Sequence, residues 1–134
     1  MLARREHAVF EVRQKLAQRG FDQDRSEYFI ALFQQQDLIS DLRFAQAYVR
    51  SRVQRGYGPR YIEQALSAKH VDADNVAIAL GTYSDWTGLA FEARAKKFGA
   101  SLPSDFKEKS KQMRFLQQRG FAHEHIRVAM AKDD

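Results

Sequence analysis

Five arginines carry the strongest chemical signal in this chain. Arg43, Arg50, Arg52, Arg55 and Arg60 fall within 18 residues, with Tyr57 and Tyr61 interleaved at the end of the run. A guanidinium is a planar fork that pairs two-pronged with phosphate or carboxylate. The cluster can therefore hold nucleic acid or acidic protein side chains. Lys107, Lys109 and Lys111 alternate further along, followed by Arg114 and Arg119. On a helix, alternation spreads lysines around the cylinder, so ordinary solvation explains that run better than it explains the arginines.

Residues of catalytic type do not assemble. His123 and His125 are two apart, so on a helix they point about 200° apart and cannot share one metal; both are read as surface residues. His70 stands at a helix end, where a cap or a C-terminal cation is the natural reading. Asp72 and Asp74 suit a helix start better than paired acid–base work. Gly56-Tyr57-Gly58 is too short to claim a phosphate loop, and no Gly-x4-Gly-Lys-Ser/Thr appears. No cofactor or metal site is expected, and no enzymatic activity.

The elements that must position the arginines read almost entirely as helix. Val9, Val12 and Leu16 form a stripe that stops at Gly20. Asp22 caps the next segment, with Phe29, Ile30, Leu32 and Phe33. A third helix starts near Ser40 or Asp41, either able to cap it. Its stripe of Phe44, Ala45, Tyr48 and Val49 spans about 140°. Arg43 and Arg50 fall opposite that stripe, and Arg52 and Arg55 sit in the last turn, where cations complement the helix dipole. Gly56-Tyr57-Gly58-Pro59 breaks the chain, and Pro59 suits a first helical position. Further helices carry Ile62, Ala65 and Leu66; Val76 to Leu80; Trp86 to Phe98, closed by Gly99; Phe106 to Leu116, with Ser104 read as the cap; and Ile126 to Met130. Trp86 is read as a packing anchor.

One phrase recurs every 50 residues: Leu16 to Phe21, Leu66 to Val71 and Leu116 to Phe121. Each copy has a Leu, three residues ending in Arg or Lys, a helix-ending residue and an apolar residue. Ile30, Leu80 and Met130 keep the same offset. A fixed long period marks a repeat architecture. The expected fold is all-α: three tandem three-helix repeats over 1–39, 40–84 and 85–134 in an elongated, curved array. The first repeat retains only Met1 to about Arg5 of its opening helix. The third has a longer joint or a longer second helix. Such arrays offer extended binding surfaces.

Composition narrows the partner class. The chain has 134 residues, net charge +5 and no cysteine, which excludes disulfides and thiolate metal sites. No stretch approaches the roughly 20 apolar residues of a membrane span, and no signal-peptide core is present, so a cytoplasmic location is expected. Residues 42–69 carry a local +5 and residues 94–119 a local +6, separated by −4 over 70–93. Two basic bands suggest a polyanionic or acidic partner.

The stretch Ser40-Asp41-Leu42-Arg43-Phe44-Ala45, then Tyr48-Val49-Arg50-Ser51-Arg52, then Gly56-Tyr57-Gly58-Pro59-Arg60-Tyr61-Ile62 resembles the central signature of the RecX family. RecX proteins are bacterial regulators of the RecA recombinase. Arg114 to Phe121 resembles the family's C-terminal signature, and Val12 to Leu16 with Gly20-Phe21 its first repeat. The resemblance implies a curved helical protein that lodges in the groove of the RecA–DNA filament. There it would hinder ATP hydrolysis, strand exchange and filament growth, with roles in recombination, DNA repair and the SOS response. Expected partners are the RecA filament and, in the same complex, single- or double-stranded DNA; the protein is expected to be a monomer. The candidate contact residues are Arg43, Arg50, Arg52, Arg55, Tyr57, Arg60, Lys107, Lys111, Arg114 and Arg119. The alternative is a helical-repeat module that binds DNA directly.

Overall fold

The computed structural model describes residues 5–131, which form eight α-helices. The helices are α1 (Val9–Gln18), α2 (Gln23–Gln35), α3 (Asp41–Gln54), α4 (Pro59–Ala68), α5 (Ala73–Leu80), α6 (Trp86–Phe98), α7 (Phe106–Gln118) and α8 (His123–Ala129). The partial opening helix expected over Met1 to Arg5 lies outside the described residues, save Arg5, which sits in a bend. Among the described residues, no helix is long and apolar enough to cross a membrane.

The recurring phrase has one physical meaning in all three copies. The amides of Phe21, Val71 and Phe121 donate back to the carbonyls of Leu16, Leu66 and Leu116 at 3.1, 3.1 and 3.2 Å. The amides of Gly20, His70 and Gly120 donate to Ala17, Ser67 and Gln117. These two bonds close a Schellman cap, which needs left-handed backbone at its turning residue. Gly20, His70 and Gly120 have φ of 89°, 61° and 95°. Leucine and the final apolar residue then meet in the core, as Leu66 with Val71 and Leu116 with Phe121 do. His70 is the one non-glycine at this position, and its side chain has a use: its ring lies 4.1 Å from that of Phe10, across the boundary between α1 and α4.

Three apolar cores follow. Val12, Ile30 and Ile39 centre the first, under α1 and α2. Phe44, Ala45, Val49, Ile62, Leu66, Val71, Val76 and Ala79 build the second from α3, α4 and α5, and Ala8 of the first unit enters it. Ala90, Ala93, Leu116, Phe121, Ile126, Ala129 and Met130 build the third from α6, α7 and α8. Trp86 packs against both the second and third cores, the anchor its position suggested.

The caps divide between units. Asp22, Ser40, Asp72 and Asp85 accept from amides three residues on, in their own helices. Asp41 does not cap α3. Its carboxylate takes the Val9 amide at 2.8 Å and caps α1 of the preceding unit, because Ala8 has no side-chain acceptor. Asp105, not Ser104, caps α7. The third unit has both a longer joint, residues 99–105, and a longer second helix, 13 residues against 10. Arg94 holds that joint. It is fully buried and donates to the carbonyls of Gly99, Ala100 and Ser101 and to Gln112 Oε1.

Candidate partner-binding surface

The second and third units meet end to end. The start of α4 docks on the end of α7, where the Gly58 amide donates to the Arg119 carbonyl at 2.7 Å and the Arg60 amide to the Gly120 carbonyl at 2.9 Å. Pro59, between them, has no N–H to satisfy. Orphan donors at one helix start thus meet orphan carbonyls at another helix end. The approach is close enough to exclude side chains. A Cβ on Gly58 would stand 2.6 Å from the Gly120 carbonyl carbon, and one on Gly120 would collide with the Tyr61 backbone.

Arg119 locks this joint from the side. Its Nη1 donates to the Arg55 carbonyl at 2.9 Å. Its guanidinium lies 4.6 Å from the centre of the Tyr57 ring and 4.9 Å from that of Phe115. Tyr57 also stacks on Tyr61 at 4.1 Å. The Tyr57 ring is therefore engaged within the joint, and Tyr61 is the more exposed of the two tyrosines.

Beside the joint is a cleft of about 210 Å³ lined by Arg55, Gly56, Ala93, Lys96, Lys97, Phe115 and Arg119. Four of its seven lining residues are cations and none is an acid. The C-terminal ends of α3, α6 and α7 converge here, bringing Arg55, the Lys96–Lys97 pair and Arg119 with them. Each helix end contributes about −0.5 charge, so three of them leave most of the fourfold positive charge uncompensated. The charge and donor set of the cleft match the chemistry of a carboxylate or a phosphate.

The other expected contact residues separate into two groups. Arg43 stands at the opposite end of α3 from Arg55, roughly 18 Å away at 1.5 Å per residue, so it does not join the cluster at the joint. It is not opposite and free, either. Its Nε donates to Glu6 at 3.0 Å, and its two terminal nitrogens to the Asp37 carboxylate and carbonyl. Hydrogen bonding to Glu6 and then to Asp37 raises its already high pKa. Arg43 is a clasp between the first and second units. The guanidinium of Arg52 lies over Tyr48 at 4.9 Å, and its Nε is buried without a hydrogen-bond partner among the described residues.

Arg50, Arg60, Lys107, Lys111 and Arg114 are exposed. Lys111 reaches over the Phe98 ring. Arg60 and Arg114 rim a groove of about 270 Å³ between α7 and α8, with Met113, Phe121 and Ile126 among its lining. Of this pair of histidines, His123 is exposed, but His125 is half-buried, and its Nδ1 has no hydrogen-bond partner among the described residues. Among the described residues no cluster of three His, Asp or Glu could hold a metal ion.

Lys96 and Lys97 fall in the second basic band of the sequence, but nothing in their own spacing marks them as a site. Their position just before Gly99 was the available signal. Lysines in a last helical turn also read as dipole compensation, which hid their convergence with Arg55.

Comparison with known proteins covers most of the chain. Family models described as the first, second and third three-helix domains of RecX match residues 1–31, 40–80 and 88–130. The regulatory protein RecX of Halorhodospira halophila is 40% identical over the whole chain and 84% of its own length. That of Vibrio parahaemolyticus is 37% identical, covering all of this chain and 87% of the relative. That of Chromohalobacter salexigens is 41% identical over 98% of this chain and 86% of its own. The crystal structure of RecX from Lactobacillus salivarius superposes with a TM-score of 0.81 at 24% identity, covering 96% of this chain and 86% of that one, a likeness of fold.

Proposed function

Because this chain belongs to the RecX family of regulatory proteins, we propose that it is a non-enzymatic regulator, mainly an inhibitor, of the RecA recombinase. It binds in the groove of the RecA–DNA filament and restrains ATP hydrolysis, strand exchange and filament growth. The observation that carries this reading is the cationic cleft at the joint of the second and third units, where Arg55, Lys96, Lys97 and Arg119 converge with no acid among the lining residues. A filament groove presents many copies of one acidic or phosphate-bearing site. A binder that spans neighbours multiplies a weak contact through effective concentration.

The test is direct. Added to recombinase, single-stranded DNA and ATP at up to stoichiometric amounts, the protein should depress both hydrolysis and strand exchange. No effect on either activity sinks the proposal. Direct DNA binding is the second reading, favoured by the exposed Lys107, Lys111 and Arg114 on α7. It requires tight, steeply salt-dependent binding to bare DNA. If tight binding needs the recombinase, that reading fails.

A further inference from the structure

The repeat provides three versions of one groove. Its period is 50 residues, and α2, α5 and α8 start at 23, 73 and 123. In the third unit the groove between α7 and α8 includes Met113, Gln117, His123 and Ile126. In the second unit a groove of about 170 Å³ between α4 and α5 includes Glu63, Ser67, Ala73 and Val76. These are the same four positions, each shifted by one period. In the first unit the position of Met113 and Glu63 is Arg13. There Arg13 spans from α1 to α2 and makes a two-pronged ion pair with Glu27, at 2.7 and 3.2 Å. The first groove is clasped, the second is small with an acidic residue at its wall, and the third is the largest and has a basic rim.

We propose that the α7–α8 groove of the third unit is a docking pocket for an acidic peptide segment that inserts one apolar side chain. This rests on the regulator reading and assigns the segment to the recombinase. The lining supplies both halves of the recognition. Met113, Phe121 and Ile126 give an apolar floor, and a cavity of about 270 Å³ is the right scale for one large side chain. Arg60 and Arg114 stand on the rim, and neither guanidinium has a partner among the described residues. Ser110 and Gln117 add a hydroxyl and an amide. A buried anchor in a pocket with a polar rim is a common form of binding hot spot. Phe121 is 1% exposed and offers no open ring for stacking a base, which leaves the exposed His123 as the one ring in the lining that could.

The first unit shows how to close such a groove with little change to the core. Arg127 occupies the position of Glu27 and Ala77, so Met113→Arg with Arg127→Glu should install the same ion pair over the third groove. Glu63→Arg with Ala77→Glu places it over the second. Arg127→Gln changes net charge as much as the first pair does and leaves the groove open. Met113→Glu, which can pair with the native Arg127 and carries that same charge, is the substitute if the double variant misfolds. Binding of the labelled full chain is measured on recombinase filaments assembled on oligo(dT) with a non-hydrolysable ATP analogue, and on oligo(dT) alone. The third-groove clasp should lose at least about tenfold in filament affinity, roughly 1.4 kcal/mol, with helicity intact. Arg127→Gln and the second-groove clasp should bind like the parent. A folded third-groove clasp that binds filaments like the parent overturns the inference, and so does an equal loss on oligo(dT) alone, which would make the groove a DNA contact. Failure of the parent chain itself to bind filaments overturns the regulator reading and the inference with it.

Discussion

Gly58 and Gly120 lie against each other across the joint of the second and third units, where the Cβ missing from Gly58 would stand 2.6 Å from the Gly120 carbonyl carbon. Gly58 has an ordinary φ of −98°, so any residue could adopt its backbone. Space alone requires glycine here. Gly58→Ala should therefore destabilise the chain by about 1–3 kcal/mol through overpacking against backbone that cannot step aside. Urea unfolding measures the loss, and faster exchange of the Gly58 and Arg60 amides would locate it. Unchanged exchange at both amides would count against this account of the joint.

Charge reversal at the cleft separates binding from folding. Arg55, Lys96 and Lys97 are exposed and leave the core untouched. Replacing all three with Glu should abolish inhibition of recombinase ATP hydrolysis at concentrations where the parent inhibits fully, with the circular dichroism spectrum retained. A triple replacement of Arg50, Arg52 and Arg55 should also weaken inhibition. It should cost some stability too, because Arg52 packs on Tyr48.

Arg94 should be indispensable to the fold, because it is fully buried and holds the joint before α7. Arg94→Ala strips one donor from each of three loop carbonyls and leaves a buried hole between that loop and Gln112. A loss of about 2–5 kcal/mol is expected. Chemical denaturation should show it, and the 99–105 loop should become sensitive to protease.

Leu66 is fully buried at the repeat phrase of the second unit. Leu66→Ala should cost about 2–5 kcal/mol, read as a lower denaturation midpoint at unchanged m-value.

Acid should loosen the first unit before the others. Burial, and then the charge of Arg5, lowers the pKa of His7 below its ordinary 6.5. An unfolded chain binds that proton as pH falls through 6.5 while the folded chain resists it, so stability drops from there and levels off below the folded value. Burial pulls the Glu11 carboxyl upward, but hydrogen bonds from Arg5 and the Ala8 amide outweigh it, and the pKa lies below the ordinary 4.5. Its contribution is present above 4.5 and is lost as pH falls through the depressed value. Thermal midpoints between about pH 8 and pH 3 should decline in two stages, and His7→Gln should flatten the first. An unaltered first stage in that variant would remove His7 as its cause.

Local chemistry was legible in the sequence and long-range pairing was not. Asp22, Ser40 and Asp72 cap the helices they precede, and the glycines at 20, 99 and 120 end helices where periodicity stops. Each of these signals involves neighbours a few residues apart. Asp41 could not be assigned because its amide partner, Val9, is 32 residues earlier in another unit. Arg43 looked like a free surface cation because Glu6 and Asp37 come to it from the first unit. Arg94 looked like one more member of a basic band, since bonding to loop carbonyls leaves no pattern in residue types. The cleft is the same case. Its four cations come from three helix ends, and only packing brings them together.

The joint between the second and third units also has a direction in time. The amides that open α4 wait for carbonyls at Arg119 and Gly120, about 60 residues later in the chain. The Val9 amide of α1 likewise waits for Asp41. A ribosome adding 5–20 residues per second takes roughly 3–12 s to cover the longer interval. During synthesis each of these two units therefore emerges with an unfinished helix start, and the unit that follows completes it.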